Sequence, residues 1–346
     1  MNINKKYSAG WDVGGAHLKA ALLDADGRVL KAVQMPCALW QGMEKLDQAV
    51  DAVLADFGRP VLRHAVTMTG ELADIFANRK EGVRSITAMM QQKLGAETLF
   101  YAAQHGLVRS EAVTELCGRV ASANWHAGAG FAARQLRQGI FVDIGSTTAD
   151  LIPFSGSRLL NQGFSDAERM REDELVYTGV VRTPLMAIAR TIAFKGRRYG
   201  VAAEHFATSA DVYRITGELM ETEDMAATAD GAGKTREASM RRLARMLGHD
   251  FEDAEDADWR QLADAFRSAQ LAILEEAIAG LISRLALEPA ALLVGAGAGS
   301  FLVQTLAQKL KREYLPVESL INADSEQVRH SAAVCFPAYA VATMLS

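Results

Sequence analysis

The sequence predicts an α/β fold of two related domains, each opening on a phosphate-binding β-hairpin, and three observations carry that expectation. The stretch AGWDVGGAHLKAALLD at residues 9–24 returns in altered form as FVDIGSTTADLI at residues 141–152. Aligning Asp12 with Asp143 sets Gly14 on Gly145, Gly15 on Ser146 and Lys19 on Asp150. Both copies run apolar, then Asp-x-Gly, then small residues, then apolar again, and each meets a second turn, DADGR at 24–28 and SGSR at 155–158. Strand, tight turn, returning strand and hairpin turn is the reading of such a pattern. The third observation is LLVGAGAGS at 292–300 followed by FLVQTLAQKLKR, a strand, a glycine loop and an amphipathic helix. The first domain is expected at 1–139, completed by a C-terminal helix at 331–346, and the second at 140–330 with a largely helical insert at 161–258.

The chemistry of the hairpins follows from their residue types. Small residues in the first turn let backbone N–H groups approach an anion closely. Gly14 and Gly15 in one copy, and Gly145, Ser146, Thr147 and Thr148 in the other, are the candidate phosphate contacts. Asp12 and Asp143, at the ends of the leading strands, are candidates to hold Mg²⁺ directly or through water. One glycine-rich hairpin is more often a plain turn than a site; two copies with an Asp at one offset favour a divided phosphate site. Paired hairpins of this kind resemble the phosphate motifs of the sugar kinase/Hsp70/actin superfamily. That resemblance implies a two-domain actin-like ATPase (ribonuclease H-like) fold with an interdomain cleft. It also places Gly295, Gly297 and Gly299 where the superfamily keeps its adenosine loop, so they face substrate or nucleotide. The rival is a dinucleotide fold, for which Glu318 lies about twenty residues on. Ser300 at the third glycine position, and the loop's place late in the chain, make that the poorer reading.

Composition narrows the partners. Of 346 residues, 37 are Lys or Arg and 42 Asp or Glu, a formal net charge of −5. A mildly acidic chain gives no electrostatic case for nucleic acid or an anionic membrane as the main partner. Cys37, Cys117 and Cys335 have no metal-ligand spacing, and their odd number suits a reducing compartment with buried thiols. MNINKKYSAGWDV holds no apolar signal segment. Residues 289–308 are free of charge for twenty residues, but three glycines and the strand-loop-helix pattern argue against a spanning helix. A soluble, cytoplasmic protein with small-molecule partners is the expectation; the oligomeric state stays open.

Along the chain, residues 28–34 complete a third strand, and 44–57 carry Leu46, Val50, Val53, Leu54 and Phe57 at helical spacing. A strand at 63–68 ends in Thr69-Gly70-Glu71. Glu71 is either a site residue just past a strand end or a helix-initiating acid. A helix is expected at 84–94, a short strand at 98–102 and a long helical region at 110–138. Trp125 and His126 in its small-residue middle could contact an aromatic ligand, although a packed Trp beside a satisfied His is the preferred reading. In the insert, Thr- and Gly-bearing segments at turn positions fit ligand-facing loops. Arg171, Arg182, Lys195, Arg197, Arg198, Lys234 and Arg236 offer charge for an anionic ligand, most of them as solvated surface. Residues 251–259 read as an acidic exposed link, 261–287 as the cleanest helix, stopped by Pro289, 315–320 as a strand and 331–345 as an apolar helix returning to the first domain.

Six blocks narrow the family: VTMTGELADIF, VASANWHAG, DIGSTTADLIPF, ELVYTGVVRTPL, EHFATSADVY and TADGAGKTREASMRRLARMLG. Together they resemble the hydantoinase/oxoprolinase-like family linked to tetrahydromethanopterin-dependent one-carbon transfer. The resemblance covers nearly the whole chain. It implies a transferase of methanofuran-type cofactor biosynthesis. Such an enzyme joins an aminomethyl-furan methyl diphosphate to the phenol oxygen of a (γ-glutamyl)tyramine-type acceptor and releases pyrophosphate. On that reading Mg²⁺ and turn amides stabilise the departing diphosphate. Lys19 neutralises a terminal phosphate oxygen, and Glu71 and Asp150 are both candidate bases for the phenol proton. ATP could occupy the fold, but the implied reaction does not require it. Two alternatives use the same hairpins: an ATP-dependent kinase or amide-ring hydrolase, and a non-catalytic nucleotide-binding regulator.

Overall fold

The computed structural model describes residues 7–58 and 63–345. The chain forms two compact units, Met1–Arg137 with Phe154–Ser165 and Pro316–Ser346, and Gln138–Pro153 with Asp166–Leu315.

The first unit is built on a six-stranded sheet of β1 (Ser8–Val13), β2 (His17–Leu23), β3 (Val29–Pro36), β4 (Arg63–Met68), β5 (Leu99–Tyr101) and β6 (Leu107–Arg109), in the order β3-β2-β1-β4-β5-β6. All six residues of β1 are buried, as expected of a central strand covered on both faces. The β2–β3 turn is fixed by Asp24, whose carboxylate accepts from the amides of Asp26 and Arg28, both at 3.0 Å, and pairs with the Arg28 guanidinium. Burial pushes this carboxyl up, but those partners outweigh it and leave Asp24 below its ordinary value. Helix α1 (Met43–Phe57) buries Leu46, Ala49, Val50, Val53 and Phe57, the three- and four-residue stripe of the sequence, and ends on Gly58 in the left-handed region. Helix α2 (Arg79–Leu94) is capped by Asn78 and begins five residues before its expected start.

The helical region expected at 110–138 is broken into α3 (Ser110–Val113), α4 (Cys117–Val120) and α5 (Asn124–Gln135), with Gln138 already in the next strand. Two local preferences break it. Ser122 adopts φ +51°, outside the right-handed helix, and the Asn124 side chain takes the amide of Trp125 at 2.7 Å. The expected C-terminal helix is likewise two, Glu326–Val334 and Phe336–Thr343, separated at Cys335. The second of these is buried almost all round and packs on β1, β2 and β4. The boundary expected at 330/331 falls earlier, at 315/316. Residues 316–330 are tied into the first unit by the Val29 amide to Asn322 O at 2.9 Å and by the Arg28–Asp324 pair.

The second unit repeats the plan. Its strands are β7 (Gln138–Ile144), β8 (Ala149–Ser155), β10 (Leu175–Val176), β11 (Thr191–Phe194), β12 (Arg197–Gly200), β13 (Leu292–Ala296) and β14 (Tyr314–Pro316), while β9 (Arg158–Leu159) falls in the Phe154–Ser165 segment of the first unit. The main sheet runs β10-β8-β7-β13-β14, with β9 beside β8. β13 lies parallel to β7 as β4 lies parallel to β1, so each unit has an antiparallel hairpin followed by a parallel crossover strand. The doubled hairpins and the matching strand orders are the two-domain actin-like arrangement expected from the sequence.

The insert is less helical than predicted. Short helices α6 (Asp166–Arg171), α7 (Leu185–Ile188), α8 (Ser209–Thr216) and α9 (Arg236–Met246) are joined by the β11–β12 ribbon, which the sequence reading missed. Residues 251–259 are exposed or half-buried, as expected of an acidic link, with one exception. Trp259 is fully buried, stacks on Phe194 at 5.0 Å and donates its indole N–H to Phe251 O at 3.0 Å. It lies in the first turn of α10 (Asp256–Arg284), the longest helix, which ends before Pro289 where Ala286 turns left-handed. The glycine loop leads into α11 (Ser300–Lys309), and the strand expected at 315–320 is only β14, followed by a 3-10 turn at Val317–Leu320. Among the described residues no helix is long and apolar enough to cross a membrane.

Candidate functional site

The two hairpin turns close in the same way. The Gly14 amide donates to His17 O at 2.9 Å, and the Gly145 amide to Thr148 O at 2.9 Å. The alignment that sets Asp12 on Asp143 has an offset of 143 − 12 = 131, and both 145 − 14 and 148 − 17 reproduce it. In each turn a second segment holds the carbonyls. Gly15 O accepts from Leu39 at 3.0 Å and Ala16 O from Cys37 at 2.8 Å. Gly145 O accepts from Val180 at 3.0 Å, and Ser146 O from Val181 at 3.1 Å and Arg182 at 2.8 Å. Among the described residues, no backbone hydrogen bond uses the Gly15, Ala16, Ser146 or Thr147 amide as donor. Carbonyls tied down and amides left over make a local excess of positive dipole, the property of an anion-binding nest.

In the first unit Asp12 is 5% exposed and stands opposite Lys19 on β2 and Thr67 on β4, so the three share one face of the sheet. Lys19 departs from its expected role. Its Nζ donates to Val334 O at 2.9 Å, at the end of the helix Glu326–Val334, where a cation suits the helix dipole. Past β4, Gly70 fits between Leu39 and Gly14, and Glu71 follows in a 3-10 turn rather than in the first turn of α2. Glu71 is 1% exposed, and one carboxylate oxygen accepts from Ser122 Oγ at 2.6 Å. That bond joins VTMTGELADIF to VASANWHAG. Trp125 is packed, and His126 Nδ1 lies 2.8 Å from the Tyr101 hydroxyl, so the packing reading of this pair holds. Cys37 and Cys335 are buried, and burial pushes their thiols up to about 11 and about 12; Cys117 is only half-buried.

In the second unit the glycine loop rests on the end of β7. Gly297 has φ +76°, and a Cβ there would stand 2.3 Å from Asp143 Oδ1 and 2.5 Å from Ile144 O, so both conformation and space demand glycine. The Gly299 amide donates to Ile144 O at 2.8 Å. Gly295 is not a loop residue. It lies within β13, packed against Tyr314. Gly179 backs the phosphate turn: a Cβ would meet Thr147 N at 2.4 Å and Gly145 O at 2.6 Å.

A model of the hydantoinase/oxoprolinase family matches residues 63–340 of the 346. The chain belongs to the hydantoinase/oxoprolinase family. A relative from Methanocaldococcus jannaschii, named (4-{4-[2-(gamma-L-glutamylamino)ethyl]phenoxymethyl}furan-2-yl)methanamine synthase, is 27% identical over 337 residues, 97% of this chain and 96% of that protein. A protein of the same name from Methanococcus vannielii is 33% identical over 112 residues, 32% of this chain and half of that protein. Among solved structures, nucleotide-free acetone carboxylase superposes with a TM-score of 0.63 at 10% identity, over 98% of this chain and 70% of that one. At that identity the likeness concerns the fold, and it is the actin-like fold described above.

In this hydantoinase/oxoprolinase chain the second phosphate turn has a buried support that the sequence reading did not identify. Gln270 on α10 donates to Thr178 Oγ1 at 2.8 Å and to Gly179 O at 2.9 Å, and accepts from the Tyr213 hydroxyl at 2.5 Å. The segment Thr178–Thr183, expected to face ligand, is buried apart from Arg182. The signal was a Gln within the apolar stripe of 261–287. Asp150, the second candidate base, is engaged in a buried ion pair with Arg169, which also reaches Glu174 O at 3.2 Å. Burial pushes the Asp150 carboxyl up and the Arg169 charge opposes it. The surface cations behave as solvated groups: Arg171 pairs with Glu172, Lys195 with Asp258 and Lys234 with Asp224. The buried arginines are others, Arg169, Arg214 and Arg242.

Among the described residues no group of three or more His, Cys, Asp or Glu is placed to hold a metal. Mg²⁺ commonly takes one or two carboxylates, keeps waters and shares substrate phosphates. The hard oxygen donors of Asp12 and Asp143, each two residues before its turn glycine, fit that chemistry.

Proposed function

We propose that this chain is a transferase of methanofuran-type cofactor biosynthesis, forming the aryl ether named in its Methanocaldococcus relative. That name contains a phenoxymethyl-furan unit, so the bond made is between a phenol oxygen and a CH₂ on a furan. The donor is the aminomethyl-furan methyl diphosphate and the acceptor a (γ-glutamyl)tyramine-type phenol. The C–O bond to the diphosphate breaks with its electron pair leaving on pyrophosphate, and the phenol oxygen takes its place on the CH₂. The furan ring stabilises positive charge on that carbon, so the main task is to stabilise the leaving group. The observation carrying this reading is the pair of turns with engaged carbonyls and unengaged amides, each beside an Asp. Mg²⁺ held at Asp12 or at Asp143 would add a cation to the departing charge. Ser122 Oγ accepts the phenol proton while passing its own to Glu71, to which it is bonded at 2.6 Å.

Furan diphosphate, tyramine and Mg²⁺ without ATP are expected to yield ether and pyrophosphate in equal amounts. Product only after ATP is added, with ADP formed, would favour the kinase-like alternative. Asp12→Asn and Asp143→Asn are each expected to raise the Mg²⁺ needed for half-maximal turnover by at least about 10-fold, with folding retained by circular dichroism. An unchanged Mg²⁺ requirement removes that residue from the metal site.

A further inference from the structure

The segments that brace the first phosphate turn carry, one and two residues further on, exposed apolar side chains that the reaction, as so far described, does not use. Trp40 is 49% exposed and Leu72 47%. Both are fixed beside the turn by their neighbours. Leu39, fully buried, donates its amide to Gly15 O at 3.0 Å, so Trp40 is the next residue out from the turn. Gly70 is wedged against Gly14, where a Cβ would stand 3.2 Å from Gly14 O and 2.8 Å from Leu39 Cδ2, and Leu72 lies two residues beyond it. Two segments distant in sequence therefore place Trp40 and Leu72 within one or two residues of the backbone that braces one anion cradle. Leaving an indole half in water forgoes the large burial that this side chain offers, and apolar groups rimming a polar site are a common mark of ligand contact.

We propose that Trp40 and Leu72 form the platform for the furan ring of the diphosphate substrate, an assignment that rests on the transferase reading above. The fit is one of length and chemistry. A single CH₂ and one ester oxygen separate the furan from the first phosphorus, so amides holding the phosphate place the ring at the rim of the turn. A flat, electron-rich heteroaromatic is the kind of group that stacks on indole. Holding the ring there fixes the CH₂ for attack and favours ring-bearing diphosphates over pyrophosphate.

The test uses a property of the chain. Of its four tryptophans, Trp11 and Trp259 are fully buried and Trp125 is 3% exposed, so Trp40 dominates quenching of fluorescence by acrylamide. With Mg²⁺ present and acceptor absent, the furan diphosphate is expected to lower the quenching constant at least about threefold, as an exposed indole becomes covered, whereas pyrophosphate leaves it unchanged. Trp40→Ala is expected to raise KM for the furan diphosphate about tenfold, with affinity for pyrophosphate held, and Trp40→Phe to recover most of the loss. Equal protection by pyrophosphate, or protection that grows with protein concentration in the absence of ligand, overturns the platform. Ether formed by Trp40→Ala at an unchanged KM sinks the platform and leaves the transferase standing. No ether from the unaltered protein sinks the transferase reading and the platform with it.

Discussion

Arg242→Met is expected to lower the stability of the second unit by about 3–5 kcal/mol, because it breaks a buried ion-pair network and takes from Asp211 one of its two guanidinium partners. Arg242 and Asp211 are fully buried, with Nε 2.8 Å from Asp211 Oδ1. The same guanidinium reaches Asp230 at 3.0 Å, Gly233 O at 3.2 Å and Ser239 Oγ at 3.2 Å. Asp211 also receives Arg214 at 2.9 Å and the amide of Thr208 at 3.0 Å, so one carboxylate ties α8 to α9 and caps α8 itself. The double change Arg242→Met with Asp211→Leu is expected to recover more than half of the loss, since a hydrophobic pair of similar volume avoids the desolvation that the ion pair incurs. Urea unfolding of the three proteins measures both effects. A single variant within about 1 kcal/mol of wild type would show that this network does not hold the unit together.

The pH dependence of that deficit has a definite sign. Burial pushes the Asp230 carboxyl up, but the Ala232 amide and Arg242 prevail and leave it below its ordinary value. A carboxylate depressed in the folded state contributes stability that is present above its unfolded pKa and lost as pH falls through the folded one. The gap between wild type and Arg242→Met is therefore expected to narrow as pH drops below about 3.9. Activity should follow stability, because α8 also carries Tyr213, whose hydroxyl holds the Gln270 that braces Gly179 behind the second phosphate turn.

The parts of the fold that were legible in the sequence are those set by local pattern. The 131-residue offset from Asp12 to Asp143 identified both hairpins, because a turn that bares its amides needs small residues whatever surrounds it. The stripe of α1 and the strand-loop-helix around Gly297 are equally local. What failed depends on contacts between distant segments. Lys19 reads as a phosphate cation until a helix more than three hundred residues on presents Val334 O to it. Trp259 sits in an acidic run that reads as exposed, yet it is buried, stacked on Phe194 with its indole N–H on Phe251 O. The buried arginines were hidden for the same reason, since sequence does not distinguish an arginine facing water from one facing Asp211.

Glu71→Gln and Asp150→Asn are expected to separate the two candidate bases, with Glu71→Gln lowering kcat about 10²- to 10⁴-fold, the usual worth of a general base. The substitution keeps the shape and leaves a carbonyl oxygen to accept from Ser122, so the packing around this 1% exposed side chain is retained. On the proposed reaction, what is lost is the capacity to take the phenol proton. An unactivated phenol near neutral pH holds that proton, with an ordinary pKa of about 10, and is a poor nucleophile. Raising pH should therefore recover part of the Glu71→Gln rate as phenolate forms in solution, and Ser122→Ala should show the same recovery from a smaller deficit. Asp150→Asn should behave differently. It takes the negative charge from a buried pair and leaves the Arg169 guanidinium, 2% exposed, without its counterion. That cost is paid in folding, about 3–5 kcal/mol by the same reasoning as for Arg242, and any fall in turnover should track the loss of native protein and show no rescue at high pH. Thermal unfolding alongside the pH profile of kcat decides the matter. A Glu71→Gln protein with normal kcat, or an Asp150→Asn protein that is fully folded, inactive and rescued by alkali, would transfer the base from the first unit to the second.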